Sequence, residues 1–154
     1  MGDVEEFVEE AGLYFERLGL SRTSGRAIGW LLASSDGTAD ASELGGRLGV
    51  AKSSMSVALR QLEGAGLIVR FRPPQERRDR YRLEEDVFAR AFRAKMSEFD
   101  AFSALAQRGL RAVGDSPGPR RRLELMRDMY GFMAREFPKL LDRWDQERES
   151  RQSP

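Results

Sequence analysis

The chain has 154 residues, of which 33% are charged, and it contains neither cysteine nor histidine. Disulfides, cysteine-ligated zinc and Ser–His or Cys–His catalytic pairs are therefore excluded. No run of about 18 apolar residues occurs and the N-terminus is acidic, which predicts a soluble, cytoplasmic protein without a membrane span. Since no motif for a metal, a cofactor or catalysis is present, we expect a non-enzymatic protein without a cofactor.

The net charge of +1 conceals a strongly uneven distribution. Residues 1–46 carry three Lys/Arg and nine Asp/Glu, residues 47–82 carry nine and three, and residues 83–154 carry fourteen and thirteen. Eight of the nine cations in the middle block are arginine, the better ligand for phosphates and base edges. A basic block inside a neutral chain indicates an anionic polymer as partner, and a solubilising surface is the alternative.

Two helices are predicted before the basic block. Apolar residues at spacings of three and four predict an amphipathic helix over residues 3–18. Ser21 can cap a second helix over residues 22–34. Gly25 and Gly29 lie four apart on that helix, where each costs about 1 kcal/mol relative to alanine, so we expect another element to pack closely against them.

A helix-turn-helix follows the turn at residues 35–38. Asp40 and Glu43 have the spacing of a capping box at the start of a short helix over residues 41–48. Gly49 opens a tight turn into a second helix over residues 51–63. This second helix is predicted to bury Met55, Leu59 and Leu62 and to present the opposite face to DNA through Lys52, Ser53, Ser54, Ser56 and Arg60. An ordinary amphipathic helix capped by Ser53 is the alternative.

A two-stranded wing is predicted next. Residues 67–72 are apolar and β-branched, residues 73–80 form a basic loop, and residues 81–83 return as a second strand. Arg77, Arg78 and Arg80 would enter a minor groove or meet phosphates, with Asp79 orienting one of its two arginine neighbours. A solvated hairpin tip is the alternative.

Long helices complete the chain. A helical stripe covers residues 86–113, residues 114–119 form a break, and a helix over residues 120–148 carries apolar residues at alternating intervals of three and four. Pro138 predicts a kink or a restart of the last helix. Residues 150–154 are predicted to be a disordered tail. The heptad seam consists of Leu123, Met126, Tyr130, Met133, Phe137, Leu140 and Trp144.

The fold class is therefore mainly α, an α+β winged helix-turn-helix domain over residues 20–85. Residues 1–19 and 86–149 are predicted to form a helical dimerisation region, because their apolar stripes exceed what one winged domain covers. Packing of these helices within one chain is the alternative. Two winged units on a two-fold axis would read two DNA half-sites.

Residues throughout the chain carry a family resemblance. They are Phe7-Val8-Glu9-Glu10, Gly12-Leu13, Phe15, Gly19-Leu20, Arg22, Gly25-Arg26, Gly29, Ser42-Glu43-Leu44, Leu48-Gly49-Val50, Lys52-Ser53-Ser54-Met55-Ser56, Leu62-Glu63, Gly66-Leu67, Arg77-Arg78-Asp79 and Tyr81. Together they resemble the GbsR branch of the MarR-type transcriptional regulators. The resemblance implies a dimeric winged-helix regulator that binds double-stranded DNA, often as a repressor, with some members responding to small ligands such as choline.

The sequence leaves two questions open. A set of aromatic residues could form a cage for a cationic effector, although such residues are far more often plain core. The winged domain could also be a protein-interaction module that leaves DNA alone. The candidate cage consists of Tyr14, Phe15, Trp30, Phe99 and Phe102.

Overall fold

The computed structural model describes residues 2–152, and within them the predicted, mainly helical winged-helix fold is confirmed. The chain divides into two compact units, Met1–Val87 and Phe88–Pro154. No helix in the described residues is long and apolar enough to cross a membrane. The elements in chain order are α1 (Asp3–Arg17), α2 (Arg22–Ala33), β1 (Thr38–Asp40), α3 (Ala41–Leu48), α4 (Lys52–Gly64), β2 (Ile68–Phe71), β3 (Arg80–Leu83), α5 (Val87–Val113) and α6 (Pro117–Gln152).

Helices α1 and α2 pack so closely that their backbones approach each other, as the glycines of α2 predict. A Cβ atom placed on Gly25 would lie 2.9 Å from Cβ of Phe15 and 3.1 Å from the carbonyl oxygen of Ala11. A Cβ atom on Gly29 would lie 2.7 Å from Cβ of Ala11. Glycine is therefore required at these two positions of α2, because α1 leaves no room for a side chain.

Local capping signals define the helix-turn-helix. The Asp40 side chain accepts a hydrogen bond from the Glu43 amide, and the Glu43 side chain accepts one from the Asp40 amide, which confirms the capping box of α3. Gly49 ends α3 in the left-handed conformation, with φ of 63°, and leads into α4. The core beneath the two helices is built largely from Leu44, Leu48, Met55, Leu59 and Leu62.

The wing belongs to a sheet of three strands rather than two, so the two-stranded ribbon predicted from the sequence is corrected. Strand β3 lies between β1 and β2 and is antiparallel to both. Tyr81 is paired with Ala39 on one side and with Arg70 on the other. Strand β1 has only three residues, and the last of them, Asp40, is also the N-cap of α3. It is too short to show a period of two, so the sequence does not reveal it.

Helix α1 lies in the same compact unit as the winged domain. Its buried residues Val8, Ala11 and Gly12 are on the side that meets α2. The prediction from the sequence placed residues 1–19 with residues 86–149 instead, because an apolar stripe does not reveal the surface against which it packs. Whether residues 1–19 take part in dimerisation stays a prediction.

In the second unit, part of the heptad seam packs within the chain. The Phe137 ring lies 5.2 Å from the Phe99 ring and 6.2 Å from the Phe92 ring, measured between centroids. Tyr130 stacks on Phe102 at 4.7 Å. These contacts join α5 to α6, so the seam residues Tyr130 and Phe137 are occupied by their own chain.

Helix α6 differs from its predicted limits at both ends. It begins at Pro117 rather than near residue 120, because proline is well suited to the first turn, where its missing N–H has no helical acceptor. It continues without a restart through Pro138. It also includes residues 150–152, which were predicted to be disordered, while residues 153–154 of the predicted tail lie outside the described residues.

Candidate nucleic-acid interface

Helix α4 has the two faces that its sequence predicts. Met55, Leu59 and Leu62 are fully buried or nearly so. The opposite face is exposed along the helix and includes Arg60. The exposed side chains on it include all five predicted DNA contacts, which are Lys52, Ser53, Ser54, Ser56 and Arg60.

The N-terminus of α4 carries no side-chain cap within the described residues. Its N-cap is Ala51, so the alternative in which Ser53 caps an ordinary helix is wrong. Because the first amides of a helix have no acceptor inside the helix, they point outward here together with the positive end of the helix dipole. Lys52 adds a positive charge at the same position. This end of α4 is therefore suited to an anionic group.

The three wing arginines have different environments. Arg77 is exposed. The Arg78 side chain is 71% exposed, and one guanidinium nitrogen lies 3.4 Å from a carboxylate oxygen of Asp40. The Arg80 side chain is only 19% exposed and donates hydrogen bonds to Thr38. The three arginines thus differ in exposure: Arg77 and Arg78 are exposed in the loop, whereas Arg80, the first residue of β3, is largely enclosed.

Asp79 orients different arginines from those predicted. Its carboxylate accepts a hydrogen bond from Arg72 at 2.9 Å and lies 3.9 Å from a guanidinium nitrogen of Arg70. The sequence pointed to Arg78 or Arg80 because they are its immediate neighbours. Asp79 directly precedes β3 and Arg72 directly follows β2, so the two side chains meet across the start of the wing loop. Arg70, two residues before Arg72, lies on the same face.

Asp40 is a charged anchor at the junction of β1 and α3. Burial raises the pKa of its carboxyl, but the hydrogen bond from the Glu43 amide and the nearby Arg78 guanidinium outweigh burial, so the pKa lies below its usual value. The carboxylate is therefore ionised at neutral pH. Its two oxygens have separate partners, one facing the start of α3 and the other facing the wing.

A groove of about 710 Å³ separates α3 and the start of α4 from the wing. Lys52 and Arg78 line it with positive charge, whereas Asp40 and Asp79 line it with negative charge. Glycines 45 and 46 of α3 also line the groove, together with the small side chains of Ala41 and Ser42. The groove therefore lies between the exposed start of α4 and the wing and carries charges of both signs.

Two family models match this chain. The model of the MarR family matches residues 30–79, which hold α3, α4 and β2. The model of the MmpR5-like MarR family transcriptional regulators matches residues 86–147. The curated HTH-type transcriptional regulator MmpR5 of Mycobacterium tuberculosis is 37% identical over 145 residues, which cover 94% of this chain and 88% of that protein. The chain belongs to the MarR family of transcriptional regulators.

A solved structure supports the same placement. The crystal structure of a transcriptional regulator is 36% identical, with a TM-score of 0.76, and the match covers 94% of this chain and 99% of that one. The prediction of a MarR-type winged-helix regulator that binds DNA is therefore confirmed at the level of the family. The finer prediction of the GbsR branch is not confirmed, since both the second model and the curated relative are of the MmpR5 type.

The five candidate cage residues of this MarR-family chain are distributed over both units. In the first, the rings of Tyr14 and Phe15 are 5.9 Å apart, and the guanidinium of Arg47 lies 5.4 Å from the Trp30 ring. In the second, Phe99 and Phe102 both lie against Tyr130, at 6.3 Å and 4.7 Å. Trp30 already has an internal cation on its ring. A cage for an effector cation stays a prediction.

Sequence reasoning missed two residues that shape the wing, Thr38 and Asp40. Asp40 was recognised as a helix cap, but nothing local indicated that its second oxygen meets Arg78, which is 38 positions away. Thr38 was assigned to a turn, whereas its side chain and its carbonyl oxygen both accept hydrogen bonds from Arg80. These contacts between β1 and the wing become visible only once the strand pairing is known.

Proposed function

We propose that the protein acts as a homodimer that binds double-stranded DNA sequence-specifically and represses transcription, with α4 in the major groove and the wing on phosphates or in the minor groove. The observation that supports this most directly is the coincidence of the basic block with two exposed surfaces, the solvent face of α4 and the wing tip. Both surfaces border one groove, so a single DNA duplex could contact them together.

Roles on α4 follow from side-chain length and position. Lys52, Ser53 and Ser54 lie in the uncapped first turn and would bind phosphate oxygens through the ammonium, the hydroxyls and the free amides. Ser56 and Arg60 lie further along the exposed face and would meet base edges. Arg60 is the only long cation beyond the first turn of α4, so it is the strongest candidate for reading a guanine.

The wing contributes charge at its tip. Arg77 and Arg78 are exposed on the loop between β2 and β3. Arginine at such a tip binds phosphates or inserts into a narrow minor groove with negative potential. We therefore assign most of the DNA-binding affinity to the wing and to phosphate contacts. Helix α4 is assigned the register of the protein on the DNA and a smaller share of the sequence specificity.

Dimer formation is supported by a second set of apolar residues on α6, which are exposed in the single chain. Its members are roughly half exposed or more, and they recur at helical spacing along one side. Large exposed apolar patches of this kind are typical of interfaces between subunits. The stripe consists of Leu125, Met129, Phe132, Leu140 and Trp144.

Two finer points stay predictions of the sequence. The first is membership of the GbsR branch. The second is a small-molecule effector bound by aromatic residues, which the resemblance to that branch suggests. The residues assigned to the effector are Tyr14, Phe15, Trp30, Phe99 and Phe102.

The test of DNA binding begins with selection of duplexes from a random-sequence library by the protein. Fluorescence anisotropy should then show that the selected duplex binds at least about 10³-fold more tightly than a scrambled one and that affinity falls steeply with salt. Arg60→Ala should lower affinity for the selected duplex by about 10- to 100-fold, because a bidentate contact to guanine is worth about 1–3 kcal/mol. It should leave the scrambled duplex almost unaffected. Selection of no sequence would contradict the proposal.

Substitution of Phe132 by glutamate should dissociate the dimer. Phe132 is 51% exposed in the single chain, so its own unit tolerates a polar residue there, whereas a subunit interface would bury an unpaired carboxylate. Such a charge costs about 3–5 kcal/mol, which raises the dimer dissociation constant by about 100-fold or more. Sedimentation velocity checks this, with Gln146→Glu on the same helix as the control. A dimer as tight as the wild type would contradict the assignment of the stripe.

A further inference from the structure

Arg80, the first residue of β3, packs against β1 and the start of α3. Its Nη2 atom lies 3.1 Å from the hydroxyl of Thr38 and 3.3 Å from the carbonyl oxygen of the same residue, and its Nε atom lies 3.2 Å from that hydroxyl. Nη2 also lies 3.4 Å from a carboxylate oxygen of Glu43. With its side chain 19% exposed, Arg80 directs its donors into the protein rather than toward solvent.

Arg78 has the opposite character. Its guanidinium makes one ion pair, from Nη1 to Asp40, while the side chain is 71% exposed. A guanidinium has five N–H donors, so several stay available for a phosphate while the contact with Asp40 is kept. The Asp40 carboxylate is 10% exposed and is held by the Glu43 amide, which makes it a fixed reference point for Arg78.

Both arginines are thus attached to the same short segment. Asp40 and Glu43 are the two carboxylates of the α3 capping box, and each meets one arginine of the wing. We propose that this pair of contacts is a latch that fixes the wing against the start of α3, in which Arg80 is a positioning residue and Arg78 is the one that binds the DNA backbone. The proposal rests on the proposed function as a DNA-binding regulator.

The latch makes opposite demands on positions 78 and 80. At position 80 the planar fork must serve Thr38 and Glu43 together, which the single ammonium of lysine does poorly. At position 78 a lysine could still pair with Asp40 and present charge to a phosphate. Charge-conserving replacement by lysine therefore distinguishes a positioning arginine from one that acts as a cation on DNA.

The experiment compares Arg80→Lys with Arg78→Lys by anisotropy on the duplex that the wild type selects. We expect Arg80→Lys to weaken binding by about 10- to 100-fold, the loss of one charged hydrogen bond to DNA through Arg78. Arg78→Lys keeps the cation that meets the phosphate and should weaken binding by less than Arg80→Lys does. Wild-type affinity of Arg80→Lys would overturn the latch, because a phosphate contact by Arg80 tolerates lysine.

A double-mutant cycle tests whether Arg80 acts through Arg78. In an Arg78→Ala background, Arg80→Lys should lower affinity by less than about 3-fold, since the contact it positions is already absent. Equal losses in both backgrounds would show that Arg80 acts independently of Arg78 and would overturn the proposal.

Hydrogen exchange of the DNA-free protein separates the latch from DNA binding itself. Arg80→Lys should accelerate amide exchange in β1 and β3, whereas Arg78→Lys should not. Thr38→Val provides a second variant that removes the hydroxyl acceptor but suits a strand and leaves every cation in place. It should also accelerate exchange and weaken DNA binding by a few fold, and unchanged values for both would overturn the latch. Failure of the wild type to bind DNA would instead refute the proposed function.

Discussion

Replacement of Arg77 and Arg78 together by glutamine is expected to lower DNA affinity by about 100-fold or more at physiological salt. Each exposed cation at the wing tip can make a charged hydrogen bond to a phosphate, worth about 1.5–3 kcal/mol. Two such losses give about 3–6 kcal/mol per protomer, and the slope of log affinity against log salt should fall by about two per protomer, or about four for the dimer on two half-sites. Glutamine avoids placing a negative charge beside Asp40, so the cap of α3 is preserved.

The control for this variant is Arg121→Gln with Arg122→Gln, two exposed arginines of α6 outside the basic block. It removes the same net charge, so a general effect of charge would appear equally in both proteins. The wing variant also tests the alternative of a protein-interaction module, which predicts no dependence on these arginines. Wild-type affinity and an unchanged salt slope would contradict a wing contact with DNA.

The sequence predicts the helix-turn-helix accurately because its signals are local. The limits of α3 are set by a capping box at Asp40 and Glu43 and by a left-handed glycine at position 49, all within one short segment. The two faces of α4 follow from helical spacing alone. For such elements, the neighbours in sequence are also the neighbours that determine the structure.

The wing depends on pairing that the sequence does not reveal. Strand β1 forms because it lies beside β3, and the hydrogen bonds of Arg80 to Thr38 span 42 positions. The assignment of Asp79 to its sequence neighbours failed for the same reason, since its partner Arg72 lies across the wing loop, just after β2. The exposure of an arginine in a basic loop is therefore decided by strand register rather than by composition.

The sequence of an apolar helical stripe reveals the spacing of its residues but not the surface against which they pack. Helix α6 shows both outcomes, because Tyr130 and Phe137 pack on α5 while Phe132 and Leu140 remain exposed. The sequence predicts the heptad seam to be one dimer surface, yet the seam contains residues that pack on α5 as well as residues that are exposed. Only the observed packing separates the intramolecular stripe from the stripe proposed for the dimer.

The packing of α1 on α2 should be highly sensitive to Gly25. Substitution of Gly25 by valine is expected to destabilise the protein by about 3 kcal/mol or more, because its side chain would overlap backbone as well as side-chain atoms of α1. The Cβ alone would lie 3.0 Å from Cα of Gly12 and 3.1 Å from the carbonyl oxygen of Ala11. Backbone atoms inside a helix can move away only if the whole helix shifts.

Gly64→Val is the matched control, since no atom lies within 4 Å of a Cβ placed at the last position of α4. Valine and glycine differ by only a few tenths of a kcal/mol in helix propensity, so this variant should unfold at nearly the wild-type temperature. For a unit of this size, 3 kcal/mol corresponds to a fall of about 12 °C or more in Tm for Gly25→Val. Calorimetry checks both values. Equal melting temperatures of the two variants would show that α1 moves aside without destabilising the protein. The close approach of α1 and α2 would then not explain why position 25 is glycine.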